Sequence, residues 1–148
     1  MRRVVLFVCL GNSCRSPFAE ALFNKLAEER GVEWRALSAG LEPGLETPRS
    51  AIRAAREFGV DLTGHTPRAV TAKLLETVDL VLAMEDWQKD EMSRVYPHCM
   101  DKIYTLTEYV GESGNIPDPY LSSHATYMQV YRQINRLVRK LVEKLSEA

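Results

Sequence analysis

The sequence predicts an α/β fold, a parallel β-sheet covered by helices on both faces. Three features point to it. The apolar runs within Val4–Leu10 and Asp79–Met84 are continuous rather than alternating, as in strands buried on both faces. Stretches with helical periodicity alternate with these runs, and strands that alternate with helices build parallel sheets. The 148 residues, 45% hydrophobic and 26% charged, suffice for one core without disulfide staples. Neither a repeat nor a low-complexity linker divides the chain, so residues 1–148 read as a single domain.

The elements follow in order. Val4–Leu10 predicts the first strand. Ser16–Arg30 places Phe18, Leu22 and Leu26 at i, i+4 and i+8 and stops at Gly31, so it reads as a helix. Trp34–Ser38 is a short strand. Thr47–Phe58 is an alanine-rich amphipathic helix ending at Gly59, and Thr71–Val78 is a shorter helix. Asp79–Met84 is another buried strand, and Glu85–Val95 is helical up to Pro97. Lys102–Leu106 is the last strand. A looser stretch, "GESGNIPDPYLSS", leads to a helix from Ala125 to Leu145. The order is β-α-β-α-α-β-α-β-α. In such sheets ligands bind beyond the carboxyl ends of strands, which is where Cys9 falls.

Composition narrows the classes. The net charge of −1, with both signs interspersed, gives no general electrostatic footprint for nucleic acid. The three cysteines, Cys9, Cys14 and Cys99, are too sparse for a secreted disulfide scaffold, and Cys99 reads as structural. No apolar run approaches the ~18 residues of a membrane span. The start, "MRRVVLFVCLGN", lacks the cleavage site of a signal peptide. The expectation is a cytoplasmic protein with no membrane partner.

The chemistry concentrates in the first turn, Cys9-Leu10-Gly11-Asn12-Ser13-Cys14-Arg15-Ser16. A strand-to-helix turn of this length aims backbone N–H groups at one point, and the helix start adds unpaired N–H groups and a positive dipole end. Together they make an anion cradle. Gly11 permits close backbone approach, and Asn12 tolerates the left-handed region. Arg15 offers a planar fork for two phosphate oxygens. The same field favours the thiolate of Cys9, at the floor of the cradle and placed for in-line attack on phosphorus. Ser16 either bonds that sulfur or caps the helix, with Pro17 at its first position. Single cysteines at strand ends are mostly packing residues. What separates Cys9 is its company of Gly11, Asn12, Arg15 and Ser16-Pro17.

A phosphocysteine mechanism also needs a proton donor for the leaving group. Asp118 is the candidate, stiffened between Pro117 and Pro119, and Tyr120 behind it can stack on a flat substrate group. Taken alone, the same segment also fits a turn aspartate followed by a surface tyrosine.

The N-terminal "VCLGNSCRSPFAEALF" and the C-terminal "IPDPY" together resemble the low-molecular-weight protein tyrosine phosphatase family. The likeness extends to "LSAG" at Leu37–Gly40, "GHTPRAVT" at Gly64–Thr71 and "DLVLAMED" at Asp79–Asp86. It implies a three-layer α/β/α fold on a four-stranded parallel sheet, with the phosphatase loop between strand 1 and helix 1. It implies Cys9 as nucleophile, Arg15 as phosphate clamp, and Asp118 as general acid and then base. Leu10, Gly11, Asn12, Ser13, Cys14, Ser16 and Tyr120 would bind phosphate or substrate, and Ser38 and His65 would support the loop. The substrate would be a phosphorylated protein or peptide, with inorganic phosphate as product and inhibitor, and no cofactor or metal. In this family a cysteine placed like Cys14 can form a disulfide with the nucleophile.

Four other functions compete with this one. An arsenate reductase shares this loop but needs a downstream cysteine pair, where only Cys99 stands. A phosphocysteine carrier of a sugar phosphotransferase system needs neither Arg15 nor Asp118, and a non-catalytic phosphate-binding module does not need Cys9. The remaining rival lies within the family: some bacterial relatives act on phosphoarginine. The residue after the loop asparagine is implicated, with a bulky aliphatic side chain for tyrosine and threonine for arginine. Ser13 matches neither. "TLTEYV" at Thr105–Val110 is similar to the arginine type and "IPDPY" to the tyrosine type. The sequence favours phosphotyrosine, with phosphoarginine as the alternative.

Overall fold

The centre of the molecule is β1 (Arg3–Cys9), whose Val5, Leu6, Phe7 and Val8 are completely buried. Only a strand covered on both faces removes four consecutive side chains from water. The computed structural model describes residues 2–147; Met1 and Ala148, the ends of the expected 1–148 domain, lie outside the described residues. Around β1 run β2 (Trp34–Gly40), β3 (Leu80–Ala83) and β4 (Ile103–Thr105), in the order β2-β1-β3-β4 with every pair parallel.

The strand's two faces feed two cores. Val5, Phe7 and Cys9 pack with α1 (Arg15–Arg30), α2 (Arg49–Arg56) and α6 (His124–Ser146). Leu6 and Val8 pack on the other side with Leu75 of α3 (Ala72–Thr77) and Met92 of α4 (Asp86–Val95). This is the three-layer, four-stranded parallel architecture that the resemblance implied. Phe18 of α1 stacks on Tyr131 of α6, ring centroids 4.0 Å apart, which joins the first helix to the last.

Several boundaries move. β2 extends to Gly40, beyond the expected end at Ser38. The expected strand Lys102–Leu106 shrinks to β4 because a 3-10 turn occupies Pro97–Lys102 and Thr105 starts a further helix, α5 (Leu106–Tyr109). Thr105 Oγ1 accepts from Glu108 N–H, while the Glu108 carboxylate accepts from Thr105 N–H, a reciprocal capping box. α1 begins at Arg15, so Pro17 is its third residue rather than its first.

The register pairs Cys9 with Gly40. A Cβ at Gly40 would stand 2.7 Å from Leu10 O and 2.9 Å from Asn12 N, so only glycine lets β2 lie this close to the turn after β1. Gly40→Ala is expected to cost about 2 kcal/mol, a fall in Tm of roughly 4–8 °C by calorimetry. Gly64→Ala, with nothing within 4 Å of its added carbon, serves as the control and should melt with the wild type.

Candidate active site

Residues 10–14 join β1 to α1, and the carbonyls of Cys9, Leu10, Gly11, Asn12 and Cys14 are held from outside. Leu41 N–H donates to Cys9 O (3.1 Å), Glu42 N–H to Leu10 O (2.8 Å) and Gly44 N–H to Gly11 O (2.9 Å). His65 Nε2 donates to Asn12 O at 2.8 Å, and the Tyr131 hydroxyl to Cys14 O at 2.7 Å. In a planar trans peptide the carbonyl and the next residue's N–H point in opposite directions. Pinning these carbonyls outward therefore turns the N–H groups of Leu10, Gly11, Asn12, Ser13 and Arg15 inward. Asn12 N–H, 3.3 Å from Cys9 Sγ, marks that direction. Asn12 has a φ of 51°, the left-handed conformation its residue type tolerates.

The Cys9 sulfur is 2.9 Å from Ser16 Oγ, which itself accepts from Asn12 Nδ2 at 2.9 Å. With its lone pair engaged by Asn12, the Ser16 hydroxyl is free to donate to sulfur. This resolves the two roles left open for Ser16, since α1 carries no side-chain cap at Cys14. Its first turn also lacks an acidic residue, which leaves its dipole end available to an anion.

Arg15 is 1% exposed. Its Nη1 donates to Glu85 Oε2 at 2.6 Å and to Ile116 O at 2.8 Å. Nε and Nη2 make no hydrogen bond among the described residues, so one edge of the guanidinium remains for two oxygens of a ligand. Nη2 stands 3.6 Å from Asp118 Oδ2. Asp118 is held by Tyr120 N–H, which donates to Oδ1 at 3.0 Å. Ile116 N–H bonds to Met84 O at 3.0 Å and anchors this segment to the end of β3.

The cleft these groups enclose measures about 490 Å³. Cys9, Leu10, Gly11, Ser13, Cys14, Arg15, Asp118 and Tyr120 line it, and Glu42 and Glu46 add carboxylates. Asn12 and Ser16 are fully buried in the hydrogen-bond network behind it. His65 braces the loop directly. Ser38 does so only at one remove: its hydroxyl bonds Glu20, while its carbonyl accepts from Arg68 Nε, and Arg68 N–H reaches Asn12 Oδ1. All three cysteines are free thiols. The Cys14 sulfur lies 3.3 Å from the Tyr127 hydroxyl, and burial pushes this thiol up to about 11. Among the described residues no cluster of three or more His, Cys, Asp or Glu side chains is placed to hold a metal ion.

The family model of the low molecular weight phosphotyrosine protein phosphatases matches residues 4–148. The chain belongs to that family. The phosphatase is 39% identical to the protein-arginine-phosphatase of Bacillus subtilis (strain 168), over 84% of this chain and 85% of that protein. It superposes with a TM-score of 0.92 and 36% identity on a mutant YwlE arginine phosphatase with a phosphorylated active site serine, covering 96% and 95% of the two chains. A low molecular weight protein tyrosine phosphatase from T. tengcongensis matches equally well, at 0.92 and 37%, covering 96% and 99%.

The sequence named His65 among the supports of the phosphatase's loop but missed Tyr131, and it missed Glu85 behind Arg15 and Tyr127 beside Cys14. Glu85 was legible as the residue after a buried strand, three before Gln88, which is the spacing of the capping box it forms. Tyr127 and Tyr131, one helical turn apart, sit in a helix whose many apolar residues hide them. Removing Glu85 leaves the buried Arg15 charge without its 2.6 Å partner. Glu85→Ala is thus expected to destabilise by about 3 kcal/mol in urea melts. The raised Cys14 thiol sets an alkaline limit. The unfolded chain ionises this group near 9.0 and the folded chain only near 11, so the unfolding free energy should fall as pH rises through that window. Urea melts at stepped pH test this, and Cys14→Ala should flatten the decline.

Proposed function

We propose that this phosphatase hydrolyses phosphorylated protein side chains through a phosphocysteine intermediate. The supporting observation is the convergence of Cys9, the inward N–H groups and the free edge of Arg15 with Asp118, which comes from a separate segment. The phosphoryl group lies on the Leu10–Arg15 cradle with two oxygens on Arg15. Cys9 attacks as thiolate; the S–P bond forms as the bond to the leaving atom breaks, and Asp118 gives that atom its proton. Asp118 then takes a proton from water, which cleaves the S–P bond and frees inorganic phosphate and the thiolate. The related structure with a phosphorylated active site serine supports a covalent phosphoenzyme here.

Two leaving groups fit. Tyr120 and Leu45, both exposed at the cleft, suit the phenol of phosphotyrosine, the substrate favoured by the sequence. The small Ser13 and the carboxylates of Glu42, Glu46 and Asp118 suit the cationic guanidinium of phosphoarginine. Among the described residues Arg15 is the only cationic side chain lining the cleft, and Glu85 already pairs with it. The charge balance supports phosphoarginine over phosphotyrosine, and the name of the Bacillus subtilis relative agrees with it.

Cys9→Ser should abolish turnover while phosphate still binds. Asp118→Ala should lower kcat by about a hundredfold or more with little change in KM. Inorganic phosphate or sulfate should inhibit competitively; absence of competition would sink the cradle. The leaving group is decided by kcat/KM on phosphoarginine and phosphotyrosine peptides. Wild type should favour the former and Ser13→Ile the latter. A wild-type preference for phosphotyrosine would reverse the assignment.

A further inference from the structure

A second hollow, about 580 Å³, lies beside the catalytic cleft, and Leu10 and Glu42 line both. Its walls are apolar: Leu41 and Val70 on one side, Trp87 and Val95 of α4 on the other. Trp87 and Val95 are each 46% exposed, which is unusual for large apolar side chains facing the same hollow. Its rim is acidic. Among the described residues Glu42 and Asp90 have no ion-pair partner, while Glu91 is neutralised by Arg94 at 2.9 Å. An apolar floor with unpaired carboxylates, opening directly into a phosphate site, suits a polypeptide that continues past its phosphorylated residue.

We propose that this groove is a docking subsite for the substrate chain, and that it takes an apolar side chain with a lysine or arginine beside it, within a few residues of the phosphorylated one. The assignment rests on the phosphatase reading above and extends it from the phosphorylated residue to its neighbours. The apolar side chain covers Trp87 and Val95, and the basic one meets Asp90 and Glu42. The continuity with the cleft through Leu10 selects the substrate over an unrelated partner.

The test compares kcat/KM for three substrates: p-nitrophenyl phosphate, a phosphopeptide flanked by Leu and Lys, and the same peptide flanked by Ala and Glu. The peptides carry whichever phosphorylated residue the enzyme turns over. Wild type should favour the Leu/Lys peptide by about tenfold, through KM. Trp87→Ala and, separately, Asp90→Lys should reduce that preference to about twofold or less and leave p-nitrophenyl phosphate turnover unchanged. Equal wild-type rates on the two peptides would overturn the subsite, as would variants that slow all three substrates alike. Failure to hydrolyse p-nitrophenyl phosphate would instead remove the phosphatase reading, and the subsite with it. Sedimentation supplies the remaining arm: a wild-type dimer that Trp87→Ala dissociates would make the groove an interface between copies and overturn the proposal. Because the other tryptophan, Trp34, begins β2 at the end of the sheet opposite Cys9, Trp34→Phe leaves Trp87 as a single fluorescent reporter of peptide binding.

Discussion

The site depends on where the carbonyls of one short loop are forced to point. A run of backbone N–H groups facing one spot is unfavourable, because the dipoles repel and no protein acceptor satisfies them. Here the opposite ends of the same peptides are anchored by Leu41, Glu42, Gly44, His65 and Tyr131, drawn from three separate parts of the chain. Those anchors convert an awkward local geometry into a stable one, and the inward N–H groups follow from peptide planarity alone. Gly40 belongs to the same constraint, since a side chain there would collide with Leu10 and Asn12.

Charge is arranged on the same logic. Arg15 is committed at one end, to Glu85 and the Ile116 carbonyl, and open at the other. A buried guanidinium without that commitment would be costly, and one fully saturated would have nothing left for a ligand. The segment that supplies the Ile116 carbonyl also carries Asp118. Placement of Arg15 and placement of Asp118 are thus one structural event. Cys14, next in the chain to Arg15, is treated in the opposite way: burial holds it as a neutral thiol, against the smaller opposing pull of the Tyr127 hydroxyl.

The strands, the main helices and the loop from Cys9 to Ser16 were legible because each carries a strong local signal: an unbroken apolar run, a helical period, or a dense motif. Asp118 was legible through its flanking prolines. What escaped reading is what depends on distance in space. Tyr131 is an ordinary aromatic of an amphipathic helix until the fold brings its hydroxyl to Cys14 O. Arg68 is a loop cation until its backbone meets Asn12. α5 was missed for a different reason, since four residues are too few to show a period, although its Thr105-Glu108 box stands in the sequence.

The bond from Tyr131 to the loop after β1 spans 117 residues of the chain, and the bond from Arg15 to Ile116 spans 101. During synthesis Cys9, the loop residues and Arg15 are made before every group that orients them, and Ile116 and Tyr131 come after all the other anchors. A nascent chain therefore carries an exposed, unorganised cysteine loop until α6 has left the ribosome and docked. The organised loop arrives with α6, whose Tyr131 sets the last of its anchors.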